Sequence, residues 1–311
     1  MNLIEKINTL RKEKNAVILA HYYVRPEIQD IADFTGDSLA LSQEAARTDA
    51  DIIVFAGVHF MAETAKILSP QKKVLLPDLE AGCSLAESAP ADEFEKFVKA
   101  HPDYLVITYV NTTAEIKALS DITCTSSNAK QIVESLPKEQ KIIFAPDKNL
   151  GNYINSVTGR DMLLWDGECH VHDQFSLEGI LKLKEEHPQA KILAHPECPQ
   201  PILLVADHIG STSSLLKYTQ KDSNKEYIVV TESGILHEMK QKSPDKNFYV
   251  APSNNADCMC SDCNFMKLNS LEKIYNCLKN ESNEIKLADN LIEKAKRPIV
   301  KMLEISEKLG L

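Results

Sequence analysis

Three cysteines recur at comparable places along the chain: Cys83 in EAGCS, Cys169 in DGECH and Cys263 in CMCSDCNFM, roughly ninety residues apart. Each follows a short apolar run that ends near proline: KVLLPD, KIIFAPD and NFYVAPS. If the segments carrying them pack about a common axis, the three thiolates meet at one metal centre. Structural zinc would need a fourth ligand there, because such sites are closed and tetrahedral. An iron–sulfur cluster accepts three cysteines and keeps one iron free of protein ligands. That iron would act as a Lewis acid on a substrate oxygen. The pair Cys258 and Cys260 reads either as a zinc half-site or as thiols prone to oxidation. The run from Cys258 to Cys263 lacks the C-x3-C-x2-C spacing of radical enzymes that cleave S-adenosylmethionine.

Proton-transfer groups cluster at the ends of three other apolar runs. His21 and Tyr23 close VILAHYY, Tyr109 and Asn111 close LVITYVN, and His195 and Glu197 close KILAHPE, while His172 follows Cys169 by three. One histidine at a strand end is ordinarily structural. Several converging on one cleft are the usual equipment for general acid–base chemistry. Ser38, Ser126, Ser211 and Thr212 each stand near a helix start. They read as N-caps or as an anion site in which hydroxyls and free N–H groups hold a carboxylate or phosphate. Cys124, Cys198 and Cys277 read as small buried hydrophobes.

The elements that must position these residues form a repeating α/β pattern. A strand opens each repeat, and a second strand or turn then opens a helix at FAGVHFMAE, CTSSNAKQI and GSTSSLLKY. The proline-ended runs supply a third strand. A helix is expected over residues 2–13 and a strand over 15–20. PEIQDIADFTGDSLALSQEAART reads as two helices with a break at Thr35-Gly36-Asp37, and the third repeat carries an extra strand, EYIVVTESG. Strands alternating with helices imply parallel sheets. The expected fold is three similar three-layer α/β domains around a pseudo-three-fold axis, at 1–85, 86–172 and 173–283. Helices in 284–311, broken near Pro298, pack back on the first. Functional residues in such folds gather at the carboxyl ends of strands.

Composition narrows the function. The 311 residues are 43% hydrophobic and 26% charged, ordinary for a globular protein. Net charge is −10 with no basic stripe, which argues against nucleic acid as a partner. No apolar run reaches membrane-spanning length, and the acidic, helical N-terminus is no secretory signal, so a cytoplasmic protein without a membrane partner is expected. Eight cysteines in such a compartment favour metal binding or catalysis over disulfides. No Walker loop and no G-x-G-x-x-G after a strand are present, which disfavours ATP and NAD.

Taken together, LAHYY, PEIQDIADFTGDSLAL, GVHFMAETAKIL, YVNTTAEIKALSDITCTSSNA, FAPDKNLGNY, CHVH, HPECP, GSTSSLLKY and CNFMKLNSLEK resemble the quinolinate synthase family, the iron–sulfur enzymes of de novo NAD biosynthesis. The resemblance runs from about residue 17 to 300. It implies a transferase that condenses iminoaspartate with dihydroxyacetone phosphate, losing phosphate and two waters to give quinolinate. It implies a [4Fe–4S] cluster on Cys83, Cys169 and Cys263 with one iron open. Cys263 is preferred over Cys258 and Cys260 because the family's third ligand precedes an x-x-Met segment, here Asn264-Phe265-Met266. Implied substrate-binding positions are His21, Ser38, Tyr109, Val110, Asn111, Ser126, His172, His195, Pro196, Glu197, Ser211 and Thr212. Implied catalytic residues are Glu197 as base, with His21, Tyr23, His195 and Tyr109. Transient contact with the enzyme that supplies iminoaspartate is a further expectation. Two departures stand out: His170 follows the ligand cysteine where proline is common, and Cys258 and Cys260 lack the C-x2-C-x2-C spacing of some relatives. Two rivals remain: an aconitase-like hydro-lyase, which would not need the triose phosphate, and a non-catalytic zinc or iron–sulfur protein, which would not need polar strand ends.

Overall fold

The structure is a computed structural model that describes residues 1–254 and 261–311. Cys258 and Cys260, read above as a half-site or thiol pair, lie outside the described residues. The described strands form three four-stranded sheets, parallel throughout and flanked by helices. The first holds β1 (Ala16–His21), β2 (Phe34–Gly36), β3 (Ile52–Ala56) and β4 (Lys73–Leu75), in the order β2-β1-β3-β4. The second holds β5 (Leu105–Tyr109), β6 (Ile122–Cys124), β7 (Ile142–Ala145) and β8 (Leu163–Leu164), ordered β6-β5-β7-β8. The third holds β9 (Lys191–Ala194), β10 (His208–Ile209), β11 (Glu226–Val230) and β12 (Asn247–Val250), ordered β10-β9-β11-β12.

Why these residues form parallel sheets follows from their apolar continuity. β3 reads IIVFA and β7 reads IIFA, and every residue in both is buried. A strand covered on both faces needs no polar alternation, and helices supply both covers. The shared strand order also creates the site. From β1 the chain turns one way to β2 and returns on the other side for β3, so a crevice opens beyond the carboxyl end of β1. The same reversal occurs at β5 and β9.

Strand pairing corrects three sequence expectations. His21 pairs with Gly36 as Tyr109 pairs with Cys124, so the counterpart of CTSSN and GSTSS is the segment Phe34 to Ser38. FAGVHFMAE instead joins β3 to the helix His59–Leu68. The expected break between two helices is thus β2, a strand with one large apolar residue that exists by pairing with β1. EYIVV is no extra strand but β11, equivalent to β3 and β7. The C-terminal helix is not broken at Pro298 and runs continuously over Asp289–Lys308. Proline removes one N–H from the ladder, but Ile292, Ala295, Ile299 and Met302 on the same helix are buried. That burial holds the helix against β6, the helix Ala114–Ala118 and the helix His59–Leu68.

One apolar core runs through all three repeats, including Ile18, Ile107 and Leu193. Smaller cores around Phe94 and Ile192 back the second and third sheets. The repeats are therefore joined by packing, not by linkers. Among the described residues, no helix is long and apolar enough to cross a membrane.

Candidate active site

Register locates the same positions in each repeat. Ala20 pairs with Ala56, Thr108 with Ala145 and Ala194 with Val230. The next residues are His21, Tyr109 and His195, and two further on come Tyr23, Asn111 and Glu197. Beyond the second strands, Ser38, Ser126 and Thr212 occupy matching places. All nine line a single cavity, together with Cys83, Cys169, Cys263 and His172.

The first and third repeats treat their histidine alike. The backbone N–H of Tyr23 donates to His21 Nδ1 at 3.2 Å, and that of Glu197 donates to His195 Nδ1 at 3.3 Å. An Nδ1 that accepts leaves the proton on Nε2, so the network assigns both rings as neutral Nε2–H donors. His195 Nε2 lies 3.2 Å from Ser126 Oγ. Burial holds His21 down to about 4 and His195 down to about 3, which keeps both neutral at pH 7.

Glu197 stands at the centre of the polar groups. Tyr109 Oη donates to its Oε1 at 2.5 Å, and His172 Nδ1 lies 3.0 Å from its Oε2. Burial works against its charge. His172 beside it, with hydrogen bonds from His172 and Tyr109, outweighs burial and holds the carboxyl below its ordinary value. Burial, reinforced by Glu197, pushes the Tyr109 phenol well above its ordinary value. On the far side, His172 Nε2 lies 2.9 Å from Thr231 Oγ1. Thr231 Oγ1 lies 2.9 Å from Tyr23 Oη, which lies 2.7 Å from Thr212 Oγ1. An unbroken line of hydrogen bonds therefore joins Tyr23 of the first repeat to Glu197 of the third.

The hydroxyls sit at helix starts. Asp37 caps the helix Ser38–Arg47, and Ser211 caps the helix Thr212–Lys221, each by accepting an N–H three residues on. Capping by these neighbours leaves Ser38 and Thr212 at the first helical positions, and both line the cavity. The Asn111 side-chain oxygen is buried and unpartnered among the described residues. Such an atom is normally satisfied by something bound.

Cys83, Cys169 and Cys263 line the cavity together with the apolar Val58, Phe60, Met61, Phe265 and Met266. Burial pushes Cys83 up to about 12, Cys263 up to about 11 and Cys169 well above the usual thiol range. Cys263 opposes charge on Cys83, as Cys83 does on Cys169. Cys169, His172 and Glu197 also bring one donor atom each to within 4.8 Å of one another, a group able to hold a metal ion. The other described cysteines are buried away from this cavity: Cys124 and Cys198 fully, Cys277 nearly so.

Three expected residues stand outside the cavity. Val110 and Pro196 lie between neighbours that enter it, and Ser211 spends its hydroxyl on the helix cap. Sequence reasoning overlooked Asp37, Thr231 and Glu232. Thr231 and Glu232 directly follow β11, and aligning EYIVV with the other third strands would have exposed them.

The chain is similar to known proteins over nearly its whole length. The family model described as Quinolinate synthetase A protein matches residues 5–304. Quinolinate synthase of Chloroherpeton thalassium is 58% identical over 307 residues, covering 99% of this chain and 95% of the relative. Quinolinate synthase of Synechocystis sp. is 60% identical over 305 residues, covering 98% and 96%. Quinolinate synthase of Trichodesmium erythraeum is 59% identical over 305 residues, covering 98% and 94%.

Proposed function

The chain belongs to the quinolinate synthase family, and from that membership we propose that it condenses iminoaspartate with dihydroxyacetone phosphate to give quinolinate, phosphate and two waters. The atoms balance without an oxidant or reductant. One C–C and one C–N bond close the ring, phosphate leaves, and two dehydrations complete it.

We assign a [4Fe–4S] cluster to Cys83, Cys169 and Cys263. Three soft sulfur donors in an apolar wall suit iron–sulfur chemistry. Buried thiols that oppose one another's charge ionise together only when a cation is bound among them. When bound, a cluster with one iron free of protein ligands supplies a Lewis acid for a substrate oxygen.

The chain's own residues do the rest. Ser38, Ser126, Thr212 and Asn111 hold the substrate carboxylates and the phosphate, aided by two helix N-termini. Glu197, ionised and buried, takes protons from substrate carbon, while Tyr109 and His172 fix its two oxygens. The Nε2–H groups of His21 and His195 and the Tyr23 hydroxyl donate to carbonyl and hydroxyl oxygens as they gain charge. The apolar wall and the packed repeats keep water from the imine, which water would otherwise hydrolyse.

One observation carries the reading: acid–base groups and three thiols from all three repeats line one cavity. The test is iron and acid-labile sulfide on anaerobically purified protein, followed by the quinolinate assay. About four of each per chain is expected, with product formed only when both substrates are present. Stoichiometric zinc without sulfide, even after reconstitution, would defeat the cluster. Turnover without dihydroxyacetone phosphate would point to a hydro-lyase.

A further inference from the structure

The cysteine loops of the second and third repeats are held by one device that the first repeat lacks. Two residues past the last paired residue of the third strand come Asp147 after Ala145, Glu232 after Val230, and Val58 after Ala56. Asp147 and Glu232 are both fully buried. Asp147 Oδ2 accepts the backbone N–H of Cys169 at 3.2 Å, while its Oδ1 caps the following helix at Leu150 N. Glu232 Oε1 accepts the backbone N–H of Cys263 at 3.0 Å and its Oε2 that of Gly234 at 2.7 Å. Lys267 completes the third-repeat clamp. Its Nζ donates to Tyr23 O of the first repeat and lies 2.8 Å from Glu232 Oε1. Where Val58 stands no carboxylate is available, and backbone does the work: His59 N donates to Ala81 O at 2.7 Å, two residues before Cys83.

We propose that Asp147 and Glu232 are positioning residues that aim the Cys169 and Cys263 thiols by binding the backbone of those two residues. Burying a carboxylate costs more than burying an apolar side chain unless it is hydrogen-bonded. Here each carboxyl group gives one oxygen to the amide of a cysteine and the other to an amide just past its own strand, Leu150 or Gly234, and so ties the cysteine loop to the strand end. Lys267 makes the Cys263 clamp continuous with the Tyr23 turn, so the third thiol and the first-repeat acid are set by one rigid junction. Cys83 is placed independently of any side chain at the matching position. The proposal rests on the three cysteines acting as one ligand set, and its test is readable whether or not iron is bound.

The experiment is peptide-resolved alkylation of the full chain after iron removal by chelation, scored as the Cys263 rate relative to Cys83. Glu232→Ala is expected to raise that ratio about three- to tenfold, the equivalent of one lost hydrogen bond. Glu232→Gln keeps an oxygen for the Cys263 amide, so a rise under about twofold is expected. Asp147→Ala against Asp147→Asn should repeat the pattern at Cys169. With iron restored, chelator-driven iron release should be faster in Glu232→Ala than in Glu232→Gln. An unchanged ratio in Glu232→Ala, or an equal rise in both variants, overturns the proposal. So does a parallel rise at Cys83 and Cys263, which marks general loosening instead of a local clamp. Failure to bind iron in the unmutated chain would defeat the cluster assignment and leave the alkylation ratio interpretable.

Discussion

The strand-end corners of the first and third repeats share a backbone and differ in chemistry. Both place a histidine just past the central strand and turn the following N–H back onto its Nδ1. The first then offers Tyr23, whose hydroxyl touches two threonines, and beside it the apolar Val58. The third offers Glu197 and Glu232, two buried carboxylates. The fold thus supplies one scaffold for a side chain, and the residue type decides whether that corner donates a proton or accepts one. A neutral donor corner facing an ionised acceptor corner suits a reaction that moves protons on and off one substrate.

The sharpest way to break this contrast is Glu197→Gln, which makes the acceptor corner neutral. Turnover is expected to fall about 10²- to 10⁴-fold, with iron content unchanged. A wild-type rate with the cluster intact would remove Glu197 as the base.

Acid pH tests the shared feature, the neutral histidines. His21 and His195 titrate lower in the folded chain than in the unfolded chain, so the unfolded state takes up protons first as pH falls. Their contribution is complete above pH 6.5 and is lost between 6.5 and about 4 for His21, or about 3 for His195. Each can contribute a slope of up to about 1.4 kcal/mol per pH unit within that window. Urea midpoints of the iron-free chain should therefore drop from pH 6.5 to pH 4.5, and less so in His195→Gln. An equal slope in that variant would contradict the assignment.

Gly234→Ala probes where the two corners touch. A Cβ there would sit 2.8 Å from Tyr22 O, Tyr23 Cα and Glu232 Oε2, two of them backbone atoms. A stability loss of about 1–3 kcal/mol is expected, read by denaturant titration. Tyr23→Phe is the gentlest change. It removes one hydroxyl from the donor corner, and about a tenfold fall in kcat is expected, the value of one hydrogen bond. A fall as large as that of Glu197→Gln would mean the corners are not specialised as described.

Much of this was legible along the chain. Polar residues closing apolar runs pointed to His21, Tyr109 and His195, because parallel strands put function at their carboxyl ends. Short strands were harder. β2 has three residues and β8 two, and neither carries enough apolar pattern to declare itself without its neighbour. Missing them shifted the repeat alignment, and Glu232, two residues past a strand assumed to be extra, went unnoticed for that reason. Pro298 misled in the opposite sense: local propensity predicts a break, and tertiary burial of the helix's apolar face overrides it.

The sequence by itself determined the fold class, the repeat count and the residue types available for chemistry, since periodicity and strand-end polarity are local properties. The chain also carries its family membership in those residues. Only the tertiary structure decided which of them meet. Tyr109 and Glu197 are 88 residues apart and share a hydrogen bond, and Tyr23 reaches Thr231 across 208 residues. Such distances are closed by packing of whole repeats around a common core, and a local pattern holds no record of that packing. The same packing decided which polar groups are stripped of water, and with it which histidines stay neutral and which carboxylate stays charged.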